Sequence, residues 1–271
     1  SGSWTGRSSS MFQGRVCIIA FDGLEAKLVE NMNLENLLQE VHGTYPSSTE
    51  LNSIQLWTSF LTGLPPEEHG MKYFVGRRFR LRIPFLVGVG RSVIRRFSKG
   101  SPPSVRGKFN TIFDYARKPL PFNVLCYNEK EEQYKLRWKY DLGETIGDVD
   151  KSIRAFHDWI AFSESLAGEF QSLLVTREWD LAMTHFWFTD IIGHLFGRGI
   201  RVRMAYGFAD HIAKCLADVL RDEDLLIIVS DHGMLKGMHT PYGFFSFNRE
   251  IGFRPRRIED FHYFVRGLLH G

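Results

Sequence analysis

The sequence predicts an α/β protein: a doubly wound, mainly parallel sheet with helices on both faces and a small insertion or cap. Two observations carry this. Short apolar, β-branched runs (Val16–Phe21, Asn123–Tyr127, Asp180–Phe186 and Leu225–Ser230) have the continuity of strands buried on both faces. Between them lie longer segments with apolar residues at helical spacing, and such alternation builds βα units. With 271 residues, 44% of them hydrophobic, the chain can bury a full core of this class.

Taken in order, the first ten residues, SGSWTGRSSS, are small and polar and precede Met11. They read as a leader added for expression and are set aside. Val16–Phe21 runs straight into Asp22, so it reads as a first strand rather than a signal peptide. A helix over about 24–40 follows. From Lys72 to about Gly147 the pattern breaks down around Gly100-Ser-Pro-Pro-Ser104, with one strand near Val124. Residues 72–147 are therefore expected to be an insertion or cap, partly core, set into a core of 11–71 and 148–271. A helix over Val149–Leu174 places Ile153, Phe156, Ile160, Ala167, Phe170 and Leu174 on one stripe. Another over Met204–Leu220 does the same with Ala205, Phe208, Ile212, Cys215, Leu216 and Val219.

Composition narrows the function classes. No apolar run approaches the ~20 residues of a membrane-spanning helix. Three cysteines (Cys17, Cys126, Cys215) make an odd count without patterned spacing, so free thiols and a cytoplasmic location are expected. The net charge of +3 conceals an asymmetry: Lys72–Lys108 holds eleven Lys/Arg and no Asp/Glu. This block, with Arg77, Arg78 and Arg80 as candidate substrate contacts, has three readings. It is a solvated surface, a funnel for polyanionic substrates such as nucleotides or oligonucleotides, or an attachment to an acidic membrane surface through 72–108.

Open α/β sheets place ligands at the carboxyl ends of their strands. Asp22 follows VCIIAF, Asp231 follows LLIIVS, and Asp190 follows LAMTHFWF within a few residues. An Asp after a strand is more often a helix cap or turn residue, so the neighbours matter. Asp190 and His194 are four apart and share a helix face, where they can chelate one ion. Asp231-His232 ends a fully apolar strand with two metal-capable side chains, and His239 lies seven residues later. Six O/N donors suit two divalent ions, Zn²⁺ or Mn²⁺.

The segment Ser53-Ile-Gln-Leu-Trp-Thr-Ser-Phe-Leu-Thr-Gly-Leu-Pro-Pro-Glu-Glu-His-Gly70 resembles the nucleophile region of alkaline phosphatase superfamily enzymes, nearest to the type I phosphodiesterase and nucleotide pyrophosphatase branch. The likeness extends to Phe21-Asp22-Gly23, Thr189-Asp190-Ile-Ile-Gly-His194, Ser230-Asp231-His232-Gly233-Met234, Gly237-Met-His239 and Ile258-Glu259-Asp260-Phe261, all in order. It implies an alkaline phosphatase-like fold and Ser53 as nucleophile. It further implies one metal held by Asp190, His194 and His239, and a second held by Asp22, Asp231 and His232 beside the Ser53 oxygen. The implied reaction is attack on phosphorus through a phosphoseryl intermediate. The chain departs from the pattern at Gln55, where many relatives carry Pro.

Other residues take plainer readings. His69 is expected to structure its loop and His185 to be a satisfied core histidine. Trp187 and Phe188 are placed in packing, with a base or lipid tail beside the metals as the alternative. The functions in competition are a two-metal phosphodiesterase or nucleotide pyrophosphatase, a phosphomonoesterase or phosphotransferase on the same site, and a catalytically retired nucleic-acid or membrane-binding protein. A sulfatase is disfavoured because Gln55 and Trp57 break the Cys/Ser-x-Pro-x-Arg pattern.

Overall fold

The computed structural model of the chain describes residues 13–48, 52–71 and 104–270. The leader, most of the basic block and Arg77, Arg78 and Arg80 lie outside the described residues. In chain order the elements are β1 (Val16–Phe21), α1 (Ala26–Asn31), α2 (Glu35–Leu38), β2 (Val41–Pro46), α3 (Ser53–Thr62) and α4 (Pro66–His69). A 3₁₀ turn (Ile112–Tyr115) leads to β3 (Pro119–Phe122), α5 (Glu131–Lys139), α6 (Leu142–Thr145) and α7 (Val149–Thr176). Then come β4 (Leu181–Phe186), α8 (Phe188–Phe196), α9 (Ile200–Ala217) and β5 (Leu225–Ser230). The chain ends with β6 (Gly233–Leu235), β7 (Met238–Thr240), β8 (Tyr242–Phe247) and α10 (Asp260–His270).

The main sheet has the order β2-β8-β5-β1-β4-β3. Strands β5, β1, β4 and β3 are parallel, whereas β8 runs antiparallel to both β5 and β2. Every residue of β1, β4 and β5 is buried, because helices cover both faces of the sheet. Cys17, Ile19 and Phe21 of β1 point to one side and pack with α7, α8 and α9; Val16, Ile18 and Ala20 point to the other and pack with α3 and α10. The architecture is the predicted one: a mostly parallel sheet between two helical layers.

Several elements differ from expectation. The strand expected at Asn123–Tyr127 lies earlier, at Pro119–Phe122, and residues 125–128 form a turn with Asn123 and Cys126 at positive φ. The single helix expected over 24–40 is broken into α1 and α2 at Asn33, whose φ is 51°. Edge strand β2 and its partner β8 carried no signal: β2 alternates burial, with only Val41 and Tyr45 buried, and it ends in Pro46. From the 72–147 segment, residues 104–147 contribute β3 to the sheet edge and Val105, Ile112, Phe113, Val124 and Leu125 to the α3-side core.

At the opposite end of the sheet from the site, one ion pair fixes where β1 and β5 begin. Asp224, fully buried, accepts from the Arg15 amide (3.1 Å), Arg15 Nε (3.1 Å), Arg15 Nη2 (2.5 Å) and the Arg221 amide (2.9 Å). The Arg15 guanidinium also lies 3.9 Å over the Trp179 ring. Burial opposes the Asp224 anion, but these donors outweigh it and hold its carboxyl below the ordinary 3.8. Removing one partner leaves a poorly compensated charge, so Asp224→Ala is expected to destabilise by about 3 kcal/mol in urea unfolding at neutral pH. A depressed carboxyl stabilises above its unfolded pKa, so the gap between wild type and variant should shrink as pH falls below 3.8. A gap that stays constant into acid would contradict this account.

Candidate active site

The carboxyl ends of β1, β4 and β5 lie side by side in register, with Ala20 opposite both His185 and Val229. Asp22 and Asp231, the residues that follow β1 and β5, therefore emerge together. Gly23 has φ 73°, and a Cβ there would sit 3.0 Å from the Asp190 Cα. Phe21-Asp22-Gly23 thus needs its glycine both for the turn and for the approach of α8. The Thr189 hydroxyl donates to the Asp22 carbonyl and ties the start of α8 to the end of β1.

Asp190 stands in the first turn of α8 and His194 one turn later. Strands β6 and β7 form a hairpin whose two-residue turn, Lys236-Gly237, has φ of 56° and 80°, the signature of a primed turn. The hairpin brings His239 back to α8. His194 donates from Nδ1 to the Gly237 carbonyl (2.9 Å), and its Nε2 faces His239 Nε2 at 3.0 Å and Asp190 Oδ1 at 3.4 Å. His239 Nε2 is 3.3 Å from the same Asp190 oxygen. His232 donates from Nδ1 to the Gly233 carbonyl at 3.0 Å. Its Nε2 lies 3.2 Å from Asp22 Oδ1, 3.5 Å from Asp231 Oδ2 and 3.9 Å from Asp190 Oδ1. In His194 and His232, the donated Nδ1–H fixes the tautomer and leaves Nε2 free to ligate.

Ser53 opens α3 on the other face of the sheet, buried at 6% exposure. Its hydroxyl donates to Asp22 Oδ1 at 2.9 Å and lies 3.3 Å from His232 Nε2. Serine is a favoured helix cap, and Ser53 lies at the start of α3. Asn52 is the cap instead: its side chain accepts from the Gln55 amide at 3.1 Å, and the Gln55 side chain reaches back to the Asn52 amide. This capping box gives Gln55 its role, and it sets Ser53 as the first helical residue.

Within this site, the ligand-type atoms of Asp190, His194 and His239 lie within 4.8 Å of one another, as do those of Asp22, Asp190 and His232. Asp190 thus belongs to both groups. Asp22 Oδ2, Asp190 Oδ1 and both Asp231 oxygens are buried without a hydrogen-bond partner among the described residues. Buried carboxylates in that condition are costly unless a cation meets them. The charges respond accordingly. Burial works against His232 as a cation, yet Asp231, Asp22 and Asp190 pull it up to about 10. Burial and the adjacent Asp22 push Asp231 well above the ordinary carboxyl range. Asp190, though buried, is held well below it by His194, His239 and His232. Three carboxylates with unpartnered buried oxygens, beside three imidazoles that an ion would compete for with protons, fit divalent cations.

His69 uses both ring nitrogens, toward Ser59 Oγ (3.1 Å) and the Met71 amide (3.1 Å), and structures its loop as expected. Phe188 is wholly core, edge-on to Phe21 and Phe186. His185 corrects the sequence reading: it is fully buried, but neither ring nitrogen has a hydrogen-bond partner, and its Nε2 is 3.9 Å from Asp22 Oδ2. It stands edge-on to Trp57 with centroids 4.9 Å apart, and burial lowers its pKa to about 4. It lies opposite Ala20, one residue before the end of β4. Arg137 was also missed; it pairs with Glu129 at 2.8 Å and lies 4.1 Å over the Trp187 ring.

No curated protein sequence matches the chain. Among solved structures, murine ectonucleotide pyrophosphatase / phosphodiesterase 5 is similar with a TM-score of 0.45 and 13% sequence identity, over 81% of this chain and 57% of that one. The chain therefore spans little more than half the length of that neighbour. The family model for type I phosphodiesterase / nucleotide pyrophosphatase matches residues 16–248. That span runs from the first residue of β1 to the residue after β8 and takes in Asp22, Ser53, Asp190, His194, Asp231, His232 and His239; the chain belongs to the type I phosphodiesterase / nucleotide pyrophosphatase family.

Proposed function

We propose that the chain is a two-metal phosphohydrolase, a phosphodiesterase or nucleotide pyrophosphatase that attacks phosphate esters through Ser53. The observation that carries this is the Ser53 hydroxyl buried against Asp22 and His232, beside carboxylates that lack partners. Asp190, His194 and His239 would hold one ion and Asp22, Asp231 and His232 the other, with Zn²⁺ favoured over Mn²⁺. Bound there, the ions supply Lewis-acid stabilisation of the phosphoryl oxygens and acidify the serine hydroxyl.

The chain's own residues do the rest. Asp22, already accepting from the Ser53 hydroxyl at 2.9 Å, aligns Oγ and lies on the path by which its proton leaves. As the Oγ–P bond forms, the bond from phosphorus to the leaving oxygen breaks in line, which gives a phosphoseryl chain and a free alcohol or nucleotide. The Ser53 and Ile54 amides, which precede the capped Gln55 amide at the start of α3, would help hold the transferred phosphoryl oxygens. Water then cleaves the Ser53–phosphate ester. Phosphodiesters, including nucleotides or oligonucleotides, are the proposed substrates.

The test is metal removal and return. Chelation should abolish hydrolysis of bis-p-nitrophenyl phosphate, and Zn²⁺ or Mn²⁺ should restore it. Faster turnover of p-nitrophenyl phosphate would move the assignment to a phosphomonoesterase. Turnover that survives chelation would sink the two-metal reading.

A further inference from the structure

We propose that the junction of α8 with α9 and the tip of the β6–β7 hairpin form a docking surface for an anionic lipid bilayer, at the mouth of the metal-ligand cluster. Four aliphatic side chains stand out into solvent here: Ile200 (66% exposed), Met204 (53%), Leu235 (53%) and Met238 (72%). Leu235 and Met238 are partners across the hairpin, and Ile200 and Met204 are one turn apart on α9. The two pairs are neighbours, because the hairpin turn rests on the end of α8. A Cβ on Gly237 would lie 3.7 Å from the Gly197 Cα, only three residues before Ile200.

The charges carried by these two segments are of one sign, with Glu25 bonded to Thr240 at the base of the hairpin as an acid from elsewhere in the chain. Arg198, Arg203 and Lys236 are exposed, and Arg201 is half-buried over the Phe196 ring. No Asp or Glu occurs from residue 191 to 209, nor from 232 to 249. The first turn of α9 holds no acid, and the arginines sit at the positive end of its dipole, where cations destabilise the free protein. An anionic partner relieves that repulsion. Cations interleaved with exposed Ile, Leu and Met are the chemistry of a surface that enters the interface of an acidic membrane. Nucleic-acid grooves use aromatic faces for base stacking instead.

The position gives the patch its purpose. His194 and His239 keep 20% and 25% of their side chains exposed, whereas His232 and Asp231 are fully buried. The cluster thus opens beside α8 and the hairpin, and docking would face it toward the headgroup layer. Binding does not depend on the hydrolytic reading, so the two fail separately.

The test is sedimentation of the full chain with vesicles of phosphatidylcholine alone, or of equal parts phosphatidylcholine and phosphatidylserine. Only the anionic vesicles should bind. Each basic residue at such a surface strengthens binding by a factor of roughly five, so Arg198→Glu with Arg203→Glu should weaken it at least about tenfold. Leu235→Ser with Met238→Ser should weaken it by roughly tenfold as well, because buried methylenes are lost from the interface. All four positions are exposed, so no thermal midpoint should fall, the arginine pair should rise slightly as acids meet the α9 dipole, and soluble-ester hydrolysis in the same samples reports on the active site separately. No preference for anionic vesicles, or wild-type affinity in both double variants, would overturn the proposal. Binding of a single-stranded oligonucleotide that is lost in the arginine pair alone would assign the patch to nucleic acid instead.

Discussion

Ser53→Ala should lower kcat for bis-p-nitrophenyl phosphate by about a thousandfold or more, with metal content and fold retained. The fold is expected to survive because α3 does not depend on the hydroxyl. Its cap is the Asn52–Gln55 box, and Ala is a good helix former at the first position. The variant loses one buried hydrogen bond, Ser53 Oγ to Asp22 Oδ1 at 2.9 Å, worth about 1 kcal/mol of stability. Catalysis loses far more, since no other hydroxyl in the cluster lies within bonding distance of both Asp22 and His232 among the described residues. Activity loss alone would fit a structural serine. The discriminating readout is a trapped intermediate: rapid acid quench of wild type during turnover should add one nitrophenyl-phosphoryl group to the peptide carrying Ser53, and Ser53→Ala should show none. Retention of more than a tenth of the activity, or phosphate trapped elsewhere, would sink the nucleophile assignment.

The ease with which the sequence yields the site follows from what kind of residue each position holds. Fully buried strands leave continuous apolar runs, so β1 and β5 end where Val16–Phe21 and Leu225–Ser230 end, and the acids after them are conspicuous. Parallel register then sets Asp22 beside Asp231. Asp190 and His194 were legible because their spacing is one helical turn. Strand β2 was not: its two buried residues, Val41 and Tyr45, are separated by exposed His42 and Thr44, and it gains strand identity only by pairing with β8. The break at Asn33 is likewise a tertiary matter. Asp210 on α9 accepts from the Asn36 and Leu37 amides at 2.9 and 3.0 Å and so caps α2 from a distant part of the chain. His185 failed for the complementary reason. A histidine within an apolar strand reads as core, and only the register shows that it emerges beneath Asp22 with its ring nitrogens unmatched.

Asp231→Asn should abolish activity and, in the metal-free protein, raise stability. Both Asp231 oxygens are buried without hydrogen-bond partners, and Asp22 stands alongside, so burial and like charge both push its carboxyl upward. At pH 8 the metal-free chain must hold that carboxylate charged in a poor environment or bind a proton to it, and either costs folding free energy. Asn keeps the shape and removes the charge. The metal-free variant is therefore expected to be about 1–3 kcal/mol more stable than metal-free wild type in urea unfolding, the sign seen when function holds a strained charge in place. Zinc should reverse the order. A ligand at a hundred times its Kd adds about 2.7 kcal/mol to the native state, and the variant, short of one anionic donor, should gain much less. Turnover should fall by about a hundredfold or more, since Asp231 sits 3.5 Å from the His232 nitrogen that flanks Ser53. A merely structural aspartate predicts the opposite sign in the metal-free protein and no dependence on zinc. Loss of stability on Asp231→Asn without metal, or an unchanged response to zinc, would remove Asp231 from the ligand set while leaving Asp190, His194 and His239 as a separate question.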